Sequence, residues 1–161
     1  MMRRNVGNMQ TATPIEHKSF TYRTFTEWVG GKAATFSSEG KPTFRVASPP
    51  EFRGERNVWT PEDLFVGAIE TCLLMTFSSI VIKQQLPIDA YYSESIGFLE
   101  FSEGTYRFTR VVVKPTIIVE NEEAVGRARV AIERAHRDCL VANSLLTTVV
   151  VEPDIRLRHA A

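Results

Sequence analysis

Cys72 and Cys139 are the only two cysteines among 161 residues and lie 67 positions apart. Two are too few for a disulfide scaffold, and neither has the CxxC spacing of a zinc site, which leaves one possible pair. Both fall at inward-facing positions of helical patterns, where a free cysteine often packs as a small hydrophobe. Chemistry would require a thiolate, and an unperturbed thiol with a pKa of about 8.5 is only slightly ionised at neutral pH. Cys72 sits about twelve residues into its helix, beyond the first turn where the helix dipole acts, so a cation from elsewhere is expected beside the sulfur. Packing and thiol chemistry both remain open from these residues alone.

Glu62 lies ten residues before Cys72, about 15 Å along a continuous helix. It cannot reach its own chain's Cys72 and could serve that thiol only across an interface between two chains. Glu70, turned about 200° from Cys72 around the helix, is expected to be paired structurally. His136 shares a helical face with Cys139, but no third ligand stands at recognisable spacing, so no metal is expected. Ser78, Ser79 and Ser144 lack a GxSxG context, and Gly30-Gly31-Lys32 reads as a turn, not a phosphate loop.

The elements that would position these residues alternate in type. Phe20 to Trp28 keeps one face on alternate residues, as a half-buried strand does. Ala33 to Ser37 and Thr43 to Ala47 flank Ser38-Glu39-Gly40-Lys41, a hairpin signal. Ser48 to Thr60 holds two prolines, a glycine and four charges, so it reads as an irregular loop of a kind that often borders a site. Thr60-Pro61-Glu62-Asp63 is a strong helix start, and the helix is expected to run to about Gln85 before Pro87. Strand patterns return over Ala90 to Phe101 and Tyr106 to Val119, followed by a helix capped at Asn121 with Cys139 near its end. A last strand, Leu145 to Val151 with an extension Ile155 to Arg158, completes an α+β domain.

Acidic and basic residues both number 19, so formal charge is zero and nucleic acid is not an expected partner. No apolar secretory segment precedes Lys18; residues 1–18 are expected to be a disordered leader, residues 19–161 one domain, and the location cytoplasmic. Leu64 to Ile82 is long enough to span a bilayer, but Glu70 and several hydroxyl side chains point to a buried helix without a membrane role. Its apolar residues cover most of its circumference, which one small sheet cannot bury. A homodimer with two such helices at its centre is expected.

Several motifs together resemble one family, the osmotically inducible protein C and organic hydroperoxide resistance (OsmC/Ohr) family. They are Ser37-Ser38-Glu39-Gly40-Lys41, Ser48-Pro49-Pro50-Glu51-Phe52, Trp59-Thr60-Pro61-Glu62-Asp63-Leu64-Phe65 leading to Cys72, and Ala135 through Leu145 around Cys139. The resemblance covers roughly Phe20 to Arg158. It implies an intertwined homodimer with antiparallel sheets wrapped around long central helices, and a thiol-dependent peroxidase that uses no metal or flavin cofactor. By that resemblance Cys72 is the peroxidatic thiol, Cys139 the resolving one, and Glu62 the active-site carboxylate that holds a cation. Where the family has an activating arginine, this chain has either Gly31 with Lys32 adjacent or the loop Glu51-Phe52-Arg53-Gly54-Glu55. Arg53 is the expected cation and Lys32 the alternative. An apolar lining of Phe52, Trp59, Phe65, Ile69 and Met75 is expected to favour organic hydroperoxides, with a dithiol or lipoyl-type reductant completing the cycle. The alternative is a protein of the same fold that binds an apolar ligand or senses redox state with little peroxidase activity.

Overall fold

Alternating apolar residues build two separate sheets in the computed structural model, which describes residues 18–158. The leader expected over residues 1–18 lies, but for Lys18, outside the described residues. Strands β1 (Phe25–Gly30), β2 (Ala33–Ser37) and β3 (Phe44–Ala47) form an antiparallel sheet in that order. The first strand starts at Phe25 instead of the expected Phe20, because its partner β2 ends at Ser37, opposite Phe25. Nothing remains on β2 for Phe20 to Thr24 to pair with.

The loop after β3 makes a 3₁₀ turn at Pro50–Phe52 that closes on Arg53 at a φ of 58°. Its two ends are pinned. Ala47 N–H donates to the Trp59 carbonyl at 3.0 Å, and Arg45 Nε donates to Glu55 Oε2 at 3.0 Å. Helix α1 (Pro61–Gln84) then starts on a reciprocal cap: Asp63 N–H donates to Thr60 Oγ1 at 3.1 Å while Thr60 N–H donates to Asp63 Oδ2 at 3.0 Å. It ends at Gln85, in the left-handed region at φ 50°, two residues before Pro87.

Strands β4 (Ile88–Ser102) and β5 (Thr105–Val119) form a long antiparallel hairpin. Its two-residue turn, Glu103-Gly104, has φ values of 54° and 83°, both positive as the twist of a tight hairpin requires. Helix α2 (Glu122–Arg137) is capped by the Asn121 side chain. After it, the expected single last strand is two, β6 (Thr148–Val151) and β7 (Asp154–Leu157), end to end along β5. They meet β5 opposite Arg110–Val113 and Thr116–Val119, with Pro115, which has no N–H to donate, at the gap. Both run parallel to β5, where only antiparallel pairing was expected. A helix separates β5 from β6, and that crossover returns the chain in the same direction.

The core joins Ile69, Leu73 and Phe77 of α1 to Val111, Val113, Ile117 and Val119 of β5 and Ala128, Ala131, Ile132 and Ala135 of α2. Alanines on α2 let the two helices approach closely. Burial of side chains such as Leu73 contributes about 1.5–3 kcal/mol each. Within one chain, however, α1 is not wrapped on most sides as its composition predicts: its buried residues are Ile69, Leu73, Phe77 and Ile80. Ala68, Thr71, Met75, Ser79 and Ile82 form an uncovered stripe, with Met75 58% and Ile82 77% exposed.

Candidate thiol site

The midpoint of α1 and the turn after α2 meet at two sulfurs. Cys72 is half-buried on α1, and Cys139, 1% exposed, follows the α2 cap at Asp138. The thiols lie close enough for each to act on the other's acidity. Burial pushes the Cys72 thiol up, but the Val141 N–H, the Cys139 thiol, the Leu140 N–H and the nearby Thr76 hydroxyl together outweigh it and hold the thiol below its ordinary value. Cys139 moves the other way. Its burial dominates, the Ala142 N–H offsets part of that, and the neighbouring Cys72 sulfur adds to the rise. The two displacements run in opposite directions, Cys72 toward the thiolate and Cys139 toward the thiol.

All four groups that lower Cys72 are neutral. The expected cations lie elsewhere in the chain: Arg53 is exposed in the loop, and Lys32 Nζ donates to the Phe52 carbonyl. Glu62 occupies the first turn of α1, where its Oε2 is buried without a hydrogen-bond partner among the described residues. It lines a cleft of 1260 Å³ between the loop, the start of α1 and the β4–β5 hairpin. Phe52 and Trp59 also line this cleft, with Tyr106 and Phe108, but neither cysteine does. Phe52 meets Tyr106 edge-on at 5.2 Å, and Phe65 stacks on Phe108 at 4.6 Å. The expected apolar lining is thus divided. Ile69 belongs to the core, and Met75 stands on the uncovered stripe of α1.

Some contributors were not singled out from the sequence. Thr76, one turn beyond Cys72, donates to the Cys72 carbonyl at 2.8 Å and also lies against its sulfur; the i,i+4 spacing was the signal for it. The backbone donors of Leu140 and Val141 carry no residue-type signal. Glu70 is paired structurally, as expected, by a hydrogen bond from the Ser93 hydroxyl. His136 offers its carbonyl to the Cys139 N–H at 3.3 Å.

Residues 54–154 match the family described as OsmC-like protein. An uncharacterised protein of Bacillus subtilis (strain 168), YmaD, is 19% identical over 129 residues, covering 78% of this chain and 86% of that one. The fold is similar to that of an OsmC-like protein of unknown function from Vibrio cholerae, with a TM-score of 0.77 and 23% identity over 84% of this chain and 99% of that one. It is also similar to an organic hydroperoxide resistance protein OsmC from Legionella pneumophila, with a TM-score of 0.68 and 20% identity over 85% and 97% of the two chains.

Proposed function

The chain belongs to the OsmC-like protein family, and from that premise we propose that it reduces organic hydroperoxides through its two thiols. The observation that carries this reading is the contact between Cys72 and Cys139 with opposite displacements of their acidity. Cys72 thiolate gives an electron pair to the distal oxygen of the hydroperoxide. The O–O bond breaks, the alkoxide takes up a proton and leaves as an alcohol, and Cys72 becomes a sulfenic acid. Cys139, giving up its proton, then attacks that sulfur; the S–O bond breaks, water leaves and a disulfide forms. An external dithiol returns both sulfurs to thiols by two exchange steps.

A second copy of the chain completes the site in this reading. Glu62 is about 15 Å from Cys72 along the same helix, so it serves the thiol of the other chain. Its unpartnered oxygen and the uncovered stripe of α1 support that assembly. Arg53 is the proposed cation between them, Lys32 the alternative, and the aromatic cleft takes the hydrocarbon part of the substrate.

The test mixes reduced protein with cumene hydroperoxide and follows the free thiols. Wild type is expected to lose both rapidly and Cys72→Ser to consume no peroxide, while Cys139→Ser stops at a trappable sulfenic acid. Equal single-turnover rates in wild type and Cys72→Ser would overturn the assignment. The aromatic cleft, lined by neither cysteine, favours a second reading as an apolar-ligand binding protein. Thiols that stay reduced under excess peroxide, in a protein that still binds an apolar probe, would select it.

A further inference from the structure

The donors beside Cys72 are backbone groups of a turn, and the side chains that hold this turn in shape can be named. Leu140 and Val141 N–H donate to no backbone carbonyl among the described residues and instead meet the Cys72 sulfur. The turn has no long helix behind it. Among the bonds that close it are these four: Asn143 N–H to the Cys139 carbonyl at 3.0 Å, Asn143 Nδ2 to the Arg137 carbonyl at 2.8 Å, Ser144 N–H to the Val141 carbonyl at 3.0 Å, and Ser144 Oγ to the Leu140 carbonyl at 2.8 Å. Two of the four come from side chains. Ser144 Oγ holds the peptide whose far end is the Val141 N–H, and Asn143 Nδ2 ties the turn back to the last residue of α2.

We infer that Asn143 and Ser144 are positioning residues: by clamping the turn after α2 they aim the Leu140 and Val141 N–H groups at the Cys72 sulfur and so favour its thiolate. Both side chains are exposed, so they make no core contribution that would compete with this role. Successive N–H groups converging on one point form a concavity for an anion, and a hydrogen bond to the charged form of a thiol favours ionisation. The same turn carries Cys139, so a single clamp presents the donors and the resolving sulfur together. The charged or titratable groups nearest the two sulfurs along their own segments are Glu70 on α1, Arg134, His136 and Arg137 on α2, and Asp138 at its cap. None is among the groups that lower Cys72.

This inference builds on the proposed thiol chemistry, but its test uses no peroxide. The rate of Cys72 alkylation by iodoacetamide is measured against pH, with the modified residue identified by mass spectrometry. Asn143→Ala and Ser144→Ala are each expected to raise the midpoint by about one pH unit, which is about tenfold less thiolate below the midpoint. Ser144→Thr, which keeps the hydroxyl, restores the wild-type midpoint. Thr147→Val removes a comparable hydrogen bond, from Thr147 Oγ1 to the Phe108 carbonyl at 3.0 Å, and leaves the midpoint where it was. If Asn143→Ala does not fold, Ser144→Ala and its threonine rescue carry the same test. An unmoved midpoint in folded Ser144→Ala, or an equal rise in Thr147→Val, overturns the inference. Failure to consume hydroperoxide with these midpoints shifted as expected would overturn the proposed function and leave the clamp intact.

Discussion

At the pair of thiols, burial acts on both sulfurs in one direction, and hydrogen bonds decide which ionises first. Cys72 is faced by two backbone N–H groups, a thiol and a nearby hydroxyl, whereas Cys139 keeps its proton beside a sulfur more inclined to carry charge. A group whose folded pKa is lowered ionises earlier as pH rises, and one whose pKa is raised ionises later. Between the two values the protein holds one thiolate and one thiol. One equivalent of iodoacetamide at neutral pH is therefore expected to label Cys72 at least about tenfold more than Cys139, with the preference narrowing at alkaline pH as Cys139 ionises. Peptide mapping reads this directly, and preferential labelling of Cys139 would reverse the proposed roles. The cysteines themselves were legible from residue type and helical position. Their donors were not, since a backbone N–H is present at almost every residue and only folding selects which ones face a sulfur.

The loop between β3 and α1 shows how one residue without a side chain sets the place of others. A Cβ built on Gly54 would lie 1.6 Å from the Ser48 carbonyl oxygen and 2.3 Å from its carbon, so backbone would have to move. Gly54 N–H donates to the Pro49 carbonyl at 3.0 Å and Glu55 N–H to the Ser48 carbonyl at 3.1 Å, and both bonds need that close approach. Gly54→Ala is expected to cost about 1–3 kcal/mol or more, to open the loop that carries Phe52 and Trp59, and to weaken binding of an apolar probe. Urea denaturation and Trp fluorescence measure the two effects, and a wild-type transition midpoint would show that the loop yields cheaply. At this scale the helix starts at Thr60 and Asn121 and the hairpin turns at Gly40 and Gly104 were legible, because capping and positive-φ chemistry act within four residues. The start of β1, the division of the last strand at Glu152-Pro153 and the parallel direction of β6 and β7 were not. Each depends on a partner far along the chain.

For the whole molecule the governing fact is apolar surface that one chain leaves open. Met75 and Ile82 on α1 are joined in this by Trp28, 76% exposed, on a three-stranded sheet separate from the larger one. Water contact over such an area is unfavourable, and the proposed dimer removes it by packing the stripe of α1 against a second copy. Light scattering is expected to give twice the 18.2 kDa chain mass for wild type, and Met75→Glu with Ile82→Glu is expected to shift the protein to monomer and to suppress peroxide consumption. A double variant that remains dimeric would place the interface elsewhere. The α+β class, the long apolar helix, the two thiols and the remote carboxylate are properties of residue order, since periodicity, capping and the rise of a helix are local rules. Which groups surround each sulfur, and that Glu62 and Cys72 face separate regions of a single chain, were decided by tertiary structure. Hydrogen-bond donors and burial depend on what the fold brings together from distant positions, and no short stretch of sequence contains that information.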